Sequence, residues 1–237
     1  MIFIPSYKRP NDCKAAKLLS RAVICCHDSE AAEYGKCNEN VVLPIPDDLA
    51  GKGMAVIRNW ILDNSPDDEV LMVDDDVLVI GYFENQQKLR FNEAEIYEVI
   101  EDGFRMCREI GSVLWGLNLL VDKQAYREYS PFSLSSVVLG PFMGIIKSGL
   151  QFDARLGLKE DFDFSLQVLN CHRKILRFNK YHYIVGHLTG KGGCISYRTK
   201  WKEQAQRSLL TKKWGRRIVK FKGNDTNPII NVPIGGI

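Results

Sequence analysis

Three consecutive aspartates, Asp74, Asp75 and Asp76, follow the apolar run Val70 to Val73. Negative charge concentrated where an apolar strand leaves the core is costly unless something neutralises it. Side chains alternate along a strand, so an extended chain would point Asp74 and Asp76 to one side and Asp75 to the other. Two such carboxylates can share Mn²⁺ or Mg²⁺, with coordination positions left for diphosphate oxygens. The triplet predicts a metal site on Asp74 and Asp76, and an acidic surface turn is the alternative.

The bulk composition limits the class of protein. A chain of 237 residues with 45% hydrophobic content is long enough for one globular domain with a full core. No apolar run approaches the roughly 20 residues of a spanning helix, so we expect a cytoplasmic protein without membrane association. Seven cysteines without a CxxC pair predict neither a disulfide framework nor a zinc knuckle.

Charge is distributed unevenly along the chain. The segment from Lys191 to Lys222 holds eleven Lys or Arg residues against one acid, Glu203. Since the total charge is +3, the rest of the chain carries −7. A basic segment of this kind suits a polyanion or a phosphate-bearing ligand, and a solvated basic surface explains it equally well.

Short apolar runs alternate with helical patterns in the first half of the chain. The pattern predicts strands at 2–5, 22–26, 41–45 and 69–73 and a helix over 54–62. Further along it predicts a hairpin around 84–87, helices over 93–109, 162–176 and 200–214, and strands over 113–121 and 137–146. Strands separated by helices imply an α/β fold: a mixed, mostly parallel sheet with helices on both faces, whose ligands bind beyond the carboxyl ends of the strands.

The order of motifs resembles the GT-A glycosyltransferase superfamily. Pro5 to Arg9 forms a P-S-Y-x-R segment after the first strand, the Gly51 to Gly53 loop leads into a basic helix, and the aspartate triplet and a Glu160-Asp161 pair follow. Within the superfamily the chain is most similar to the TET-associated glycosyltransferases, linked to sugar transfer onto hydroxymethylated bases in viral DNA. The resemblance implies a single GT-A domain over 1–237, with a nucleotide-binding half (1–80), an acceptor half (81–195) and the basic segment (196–237).

The resemblance also implies roles for individual residues. A nucleotide sugar, with UDP as the expected nucleotide, would be bound by Pro5, Ser6, Tyr7, Arg9, Asp28, Lys52, Arg58, Asp74 and Asp75. Asp161 would be the catalytic base that takes the proton of the acceptor hydroxyl, with Glu160 as the alternative base. His187 would join the metal site. Helix capping by Asp28, surface exposure of Lys52 and Arg58, and acids at a helix start are the structural alternatives.

The basic segment suggests where an acceptor binds. Lys191, Tyr197, Arg198 and Trp201 combine cations with aromatic rings, which suits phosphate contacts and base stacking on a DNA acceptor. The alternative is a helix that packs through Trp201 and Leu209 with its cations solvated. Two rival functions remain open from the sequence: a metal-dependent nucleotidyltransferase and a non-catalytic nucleic-acid-binding protein.

Overall fold

The computed structural model describes residues 1–85, 87–119, 126–186, 199–223 and 225–233. Its strands are β1 (Ile2–Pro5), β2 (Val23–His27), β3 (Val42–Ile45), β4 (Glu69–Val73), β5 (Val77–Glu84), β6 (Gln87–Arg90), β7 (Leu114–Asn118), β8 (Phe132–Ser133), β9 (Phe142–Ile146), β10 (Leu176–Val185), β11 (Val219–Lys220) and β12 (Ile229–Ile230). Its helices are α1 (Asp28–Cys37), α2 (Met54–Asn64), α3 (Glu93–Glu109), α4 (Glu160–His172) and α5 (Lys200–Trp214). Within these ranges no helix is long and apolar enough to cross a membrane.

One large sheet has the strand order β3-β2-β1-β4-β9-β7-β10-β5-β6, with β8 paired to β10. The strands β3, β2, β1 and β4 are parallel to one another. Beyond β4 the sheet becomes mixed, because β9 runs antiparallel to both β4 and β7. The predicted α/β class with a mixed sheet is confirmed.

Helices cover both faces of the sheet, and β4 shows how the sequence arranges this. Its alternate residues Leu71 and Val73 face a core that includes Phe104 of α3. Val70 and Met72 face the opposite core, formed with α2 and α4. A strand buried on both faces therefore reads as a continuous apolar run.

Two helices have the bounds that the pattern predicts. α3 covers 93–109, where the Asn92 side chain accepts the Glu95 N–H and the Glu95 side chain accepts the Asn92 N–H. This reciprocal capping fixes the start of the helix. α5 covers 200–214, and the Thr199 side chain accepts the Lys202 N–H at 3.2 Å.

Other predicted bounds are wrong for local reasons. The helix predicted over 162–176 starts at Glu160 and ends at His172, because Arg173 takes a left-handed conformation with φ 67° that closes the helix. The strand predicted over 137–146 begins only at Phe142. The strand predicted over 113–121 is observed from Leu114 to Asn118.

Candidate active site

The aspartate triplet lies where several strands meet at one edge of the sheet. β1 and β4 are parallel neighbours, so their carboxyl ends lie side by side. The chain leaves β1 toward β2 and β3 on one side and returns through β4 on the other, which produces the crevice where open α/β sheets bind ligands. The antiparallel strand β9 starts here, with Phe142 opposite Val73. β10 ends here, and the Gly186 N–H donates to the Asp76 carbonyl at 2.8 Å.

Asp75 binds the loop that follows β1. Its carboxylate accepts hydrogen bonds from the Ser6 hydroxyl at 2.6 Å and from the Arg9 guanidinium at 2.9 Å. Its carbonyl accepts the N–H groups of Lys14 and Ala15. Burial raises the pKa of Asp75, and the contacts with Ser6 and Arg9 oppose that rise. Asp75 therefore fixes the loop from Ser6 to Arg9 against the triplet.

The triplet does not continue β4, which corrects the geometry expected from strand alternation. β4 ends at Val73, and the chain turns through residues 74–76 before β5. Asp74 and Asp75 nevertheless have different partners, Arg58 and Arg9 respectively. Hydrogen bonding to two different elements, rather than the pleat of a strand, separates these two carboxylates.

Arg58 of α2 connects the triplet to the acidic start of α4. Its guanidinium donates to the Asp74 carboxylate at 2.8 Å and to the Gly140 carbonyl at 3.2 Å. Its Nε lies 3.7 Å from the Glu160 carboxylate. The side chain is only 1% exposed, so Arg58 lies behind the carboxylates instead of on the open surface. In this structure its contacts are those of a positioning residue.

Gly140 leaves room for this arrangement. A Cβ at this position would lie 2.7 Å from a terminal nitrogen of Arg58, closer than side chains tolerate. The Gly140 N–H also donates to the Asp161 carboxylate at 3.0 Å. Sequence reasoning missed Gly140, and a glycine followed by a proline before an apolar run was the signal available for it.

Glu160 and Asp161 open α4 but differ in environment. Glu160 is buried, and burial together with Asp161 raises its pKa to about 8, while Arg58 lowers it. Asp161 is half-buried, and its two carboxylate oxygens accept the N–H groups of Gly140 at 3.0 Å and Phe162 at 2.8 Å. Burial raises the pKa of Asp161, and both hydrogen bonds lower it. Near neutral pH the Glu160 side chain is therefore mostly protonated. The pKa of Asp161 is raised as well, but its two backbone donors favour the charged form and limit that rise.

Asp76 also has a strongly raised pKa. Burial, followed by the neighbouring charges of Asp74 and Asp75, raises its pKa to about 7. Arg9 opposes this rise more weakly. Among the described residues no group of three or more His, Cys, Asp or Glu side chains is arranged to hold a metal ion. A cation at the triplet would therefore need further oxygen ligands from outside the described residues.

The remaining donor-site candidates lie in the segments that follow β1, β2 and β3. Tyr7 is half-buried and packs edge-on against His27, with the ring centroids 5.3 Å apart. His27 is buried, and its Nδ1 has no hydrogen-bond partner among the described residues. Asp28 is exposed as the first residue of α1, where it makes no capping bond. Lys52 is exposed and pairs with Asp48 at 3.2 Å. Sequence reasoning missed His27, although it ends β2 directly before Asp28.

The acceptor candidates are placed only in part. Lys191, Tyr197 and Arg198 lie outside the described residues, as does His187, the further candidate for the metal site. Trp201 is 79% exposed at the start of α5, so it does not pack inward as the alternative interpretation expected. Leu210 provides the buried apolar contact of α5, with Leu209 and Trp214 partly buried beside it.

α5 packs against the loop and helix that carry Glu160 and Asp161. Lys159, which is 1% exposed, pairs with Glu203 of α5 at 3.0 Å. At the other end of α5, Lys213 and Trp214 donate to the Asp163 carboxylate at 2.9 and 2.7 Å. The alternative interpretation of the sequence expected the cations of α5 to be solvated, and it did not predict these contacts. The structure shows that they connect the basic helix to the start of α4.

The raised pKa of Glu160 predicts a pH-dependent stability. Because this pKa rises from 4.5 to about 8 on folding, the folded protein holds a proton that the unfolded chain releases. The contribution is fully present below pH 4.5 and is lost as the pH rises toward 8. In the wild type the free energy of unfolding is expected to fall by up to about 1.4 kcal/mol per pH unit over this range. In Glu160→Gln this fall should be absent.

Urea unfolding of the wild type and Glu160→Gln at several pH values between 5 and about 8 measures this difference. Glu101→Gln on the exposed face of α3 is the control, because it removes a carboxylate without changing the site. Equal pH slopes for the wild type and Glu160→Gln would contradict the prediction.

The α/β fold, with its crevice at this edge of the sheet, is of the GT-A type that the motifs implied. The S. aureus TarS fragment 1–349 in complex with UDP-GlcNAc is similar in structure, with a TM-score of 0.55 and 13% identity over 91% of this chain and 73% of that chain. Another structure of the TarS fragment 1–349 gives a TM-score of 0.49 and 13% identity over 91% and 72% of the two chains. At this identity the likeness concerns the fold alone.

The family model for TET-associated glycosyltransferases matches residues 1–193, and the chain belongs to this family. The resemblance predicted from the motifs is thereby confirmed, and the protein is a glycosyltransferase. No curated protein sequence matches the chain.

Proposed function

We propose that the protein transfers a sugar from a UDP-linked donor to a hydroxyl group on a hydroxymethylated base in DNA. The observation that carries this proposal is the meeting of three motifs at one sheet edge: the loop after β1, the aspartate triplet and the Glu160-Asp161 pair. Asp75 connects the triplet to the first of these, and Arg58 connects it to the last. A donor bound across the triplet would therefore lie beside Asp161.

The donor half of the proposal rests on the loop after β1. Ser6 and Arg9 are held by Asp75, so the loop is fixed before a ligand arrives. Tyr7 offers a ring face next to His27, which suits a planar base. The fold relative named above binds UDP-GlcNAc, and this supports a UDP-sugar as the donor class.

The residues at the triplet fit a divalent cation. Burial, together with the negative charges of Asp74 and Asp75, raises the pKa of Asp76, and a cation would offset those charges. Asp74 and Asp76 would hold Mn²⁺ or Mg²⁺, with His187 as a further candidate from the sequence. When these ions bind to a protein, water and phosphate oxygens occupy several of their coordination positions. Two carboxylates from the protein are therefore sufficient. When bound, the cation would neutralise the negative charge of the leaving diphosphate.

Asp161 fits the role of base better than Glu160. A base must be ionised before it accepts the acceptor proton, and burial keeps Glu160 mostly protonated near neutral pH. The two backbone donors on Asp161 orient its carboxylate and favour its ionised form. Direct displacement assisted by this base would invert the anomeric centre.

Donor binding is tested by the thermal shift of the protein with UDP-sugars, other nucleotide sugars and nucleoside triphosphates, each with and without Mn²⁺. We expect stabilisation by UDP-sugars that requires the metal and is lost in Asp76→Asn. Asp102→Asn, an exposed acid on α3, is the matched control. Absence of any response to nucleotide sugars would refute the donor assignment. Turnover of a nucleoside triphosphate with pyrophosphate release would instead identify a nucleotidyltransferase.

The acceptor is tested separately with a labelled sugar donor. Transfer to duplex DNA containing hydroxymethylcytosine is compared with transfer to unmodified DNA of the same sequence, protein and saccharide. Label on the modified duplex alone is the expected result. Label on saccharide or protein, with none on DNA, would show that DNA is not the acceptor. The assignment of the donor would be unaffected.

A further inference from the structure

The exposed side of α5 and the strand after it form a cationic surface. Residues 199–223 contain nine Lys or Arg residues and one acid. That acid, Glu203, pairs inward with Lys159, and Lys213 pairs inward with Asp153 and Asp163. These inward ion pairs thus use Glu203 and one of the nine cations, Lys213. The remaining positive charge has no acid within 199–223 to balance it.

A groove of about 610 Å³ runs between α5 and residues 221–223 on this surface. The α5 groove is lined by Arg207, Ser208, Thr211, Lys212, Arg216 and Phe221. Arg207 stacks on Phe221 at 4.5 Å and donates to the Gly223 carbonyl at 2.8 Å, so its guanidinium is held in place. Lys212 and Arg216 are exposed, and no carboxylate of the described residues lies within salt-bridge distance of them.

The groove combines guanidinium, ammonium and hydroxyl donors, which is the set that binds phosphate oxygens. We propose that the α5 groove binds the phosphodiester backbone of nucleic acid. An anionic membrane suits it less well, because Leu209, Leu210 and Trp214 pack inward against α4, so that Trp201 alone is a large exposed apolar side chain on α5 and forms no apolar stripe. The groove also lies beyond residues 1–193, which match the family model.

This surface deepens the proposed function and rests on it for the choice of DNA as the partner. Backbone contacts position a protein on a duplex without reading its sequence. The groove would thus hold DNA independently of base modification and of the sugar donor. The test of the groove measures DNA binding without sugar transfer. A failure to bind DNA can therefore be distinguished from a failure to transfer sugar.

The experiment measures binding of a short fluorescent duplex by anisotropy at several salt concentrations. Lys212→Gln/Arg216→Gln is expected to lower affinity roughly 50-fold at about 0.1 M salt. The slope of log affinity against log salt should become shallower by about 2, one for each lost phosphate contact. The thermal shift with UDP and Mn²⁺ should stay unchanged in this variant, which shows that it is folded.

Arg217→Gln/Lys220→Gln removes the same charge from exposed positions that do not line the groove and is the matched control. Its affinity should remain within about threefold of the wild type, because these two side chains do not line the groove and would make no phosphate contact in it. An equal loss in both double variants would overturn the groove as the site. Wild-type binding to phosphatidylserine vesicles but not to duplex would overturn nucleic acid as the partner.

Discussion

Asp161→Asn is expected to lower the rate of sugar transfer about 10³-fold, the middle of the range for loss of a general base. The amide keeps an oxygen that can accept one of the two backbone N–H groups, so the start of α4 should hold its position. It cannot take the acceptor proton. Turnover with a UDP-sugar and modified duplex measures the effect, and the thermal shift with UDP should be unchanged.

Glu160→Gln is the control for this result. Because the Glu160 side chain is mostly protonated near neutral pH, a neutral amide resembles the state already present. Its transfer rate should fall less than tenfold, far less than a lost base costs. If Glu160→Gln lowered the transfer rate more than Asp161→Asn did, the base would be Glu160 and not Asp161.

Arg58→Met is expected to cost about 3–5 kcal/mol in the free energy of unfolding, the range for breaking a buried ion pair by removing one partner. Methionine fills part of the volume but leaves the Asp74 carboxylate without its cation. Transfer activity should disappear in parallel, because the carboxylate at the triplet loses its fixed position. Urea unfolding at neutral pH measures the stability change.

Arg58→Lys tests whether charge alone is sufficient. A single ammonium keeps the charge but lacks the planar group that reaches Asp74 and Gly140 together. We expect intermediate stability and a large loss of activity. Adding Asp74→Asn to Arg58→Met should recover part of the lost stability, because it removes the uncompensated carboxylate. A cost below about 1 kcal/mol for Arg58→Met would show that solvent compensates the carboxylates.

Local patterns were enough to predict much of the fold. The α3 and α5 bounds follow from periodicity and from capping residues that lie within the segment itself, such as Asn92 with Glu95. The end of α4 was missed because Arg173, an ordinary cation in the sequence, adopts a left-handed conformation. Nothing in its residue type signals that choice, since glycine or asparagine usually occupies such a position.

The candidate site was predictable as a set of residues but not as a set of contacts. Asp74 and Arg58 lie 16 residues apart and were both identified, yet their pairing depends on how α2 lies over β4. Gly140 comes from a third segment, because β9 inserts antiparallel beside β4. Strand order of this kind is a property of the whole sheet, and single-segment periodicity does not contain it.

The contacts between α5 and α4 also bear on the evolution of this chain. The shared family region ends at residue 193, whereas Glu203, which neutralises the buried Lys159, comes after it. A truncation after residue 198 would leave that ammonium and the Asp163 carboxylate without their α5 partners. The region that matches the family and the region that packs together in the structure thus end at different places. A relative that lacks an equivalent of α5 should carry uncharged residues at both positions.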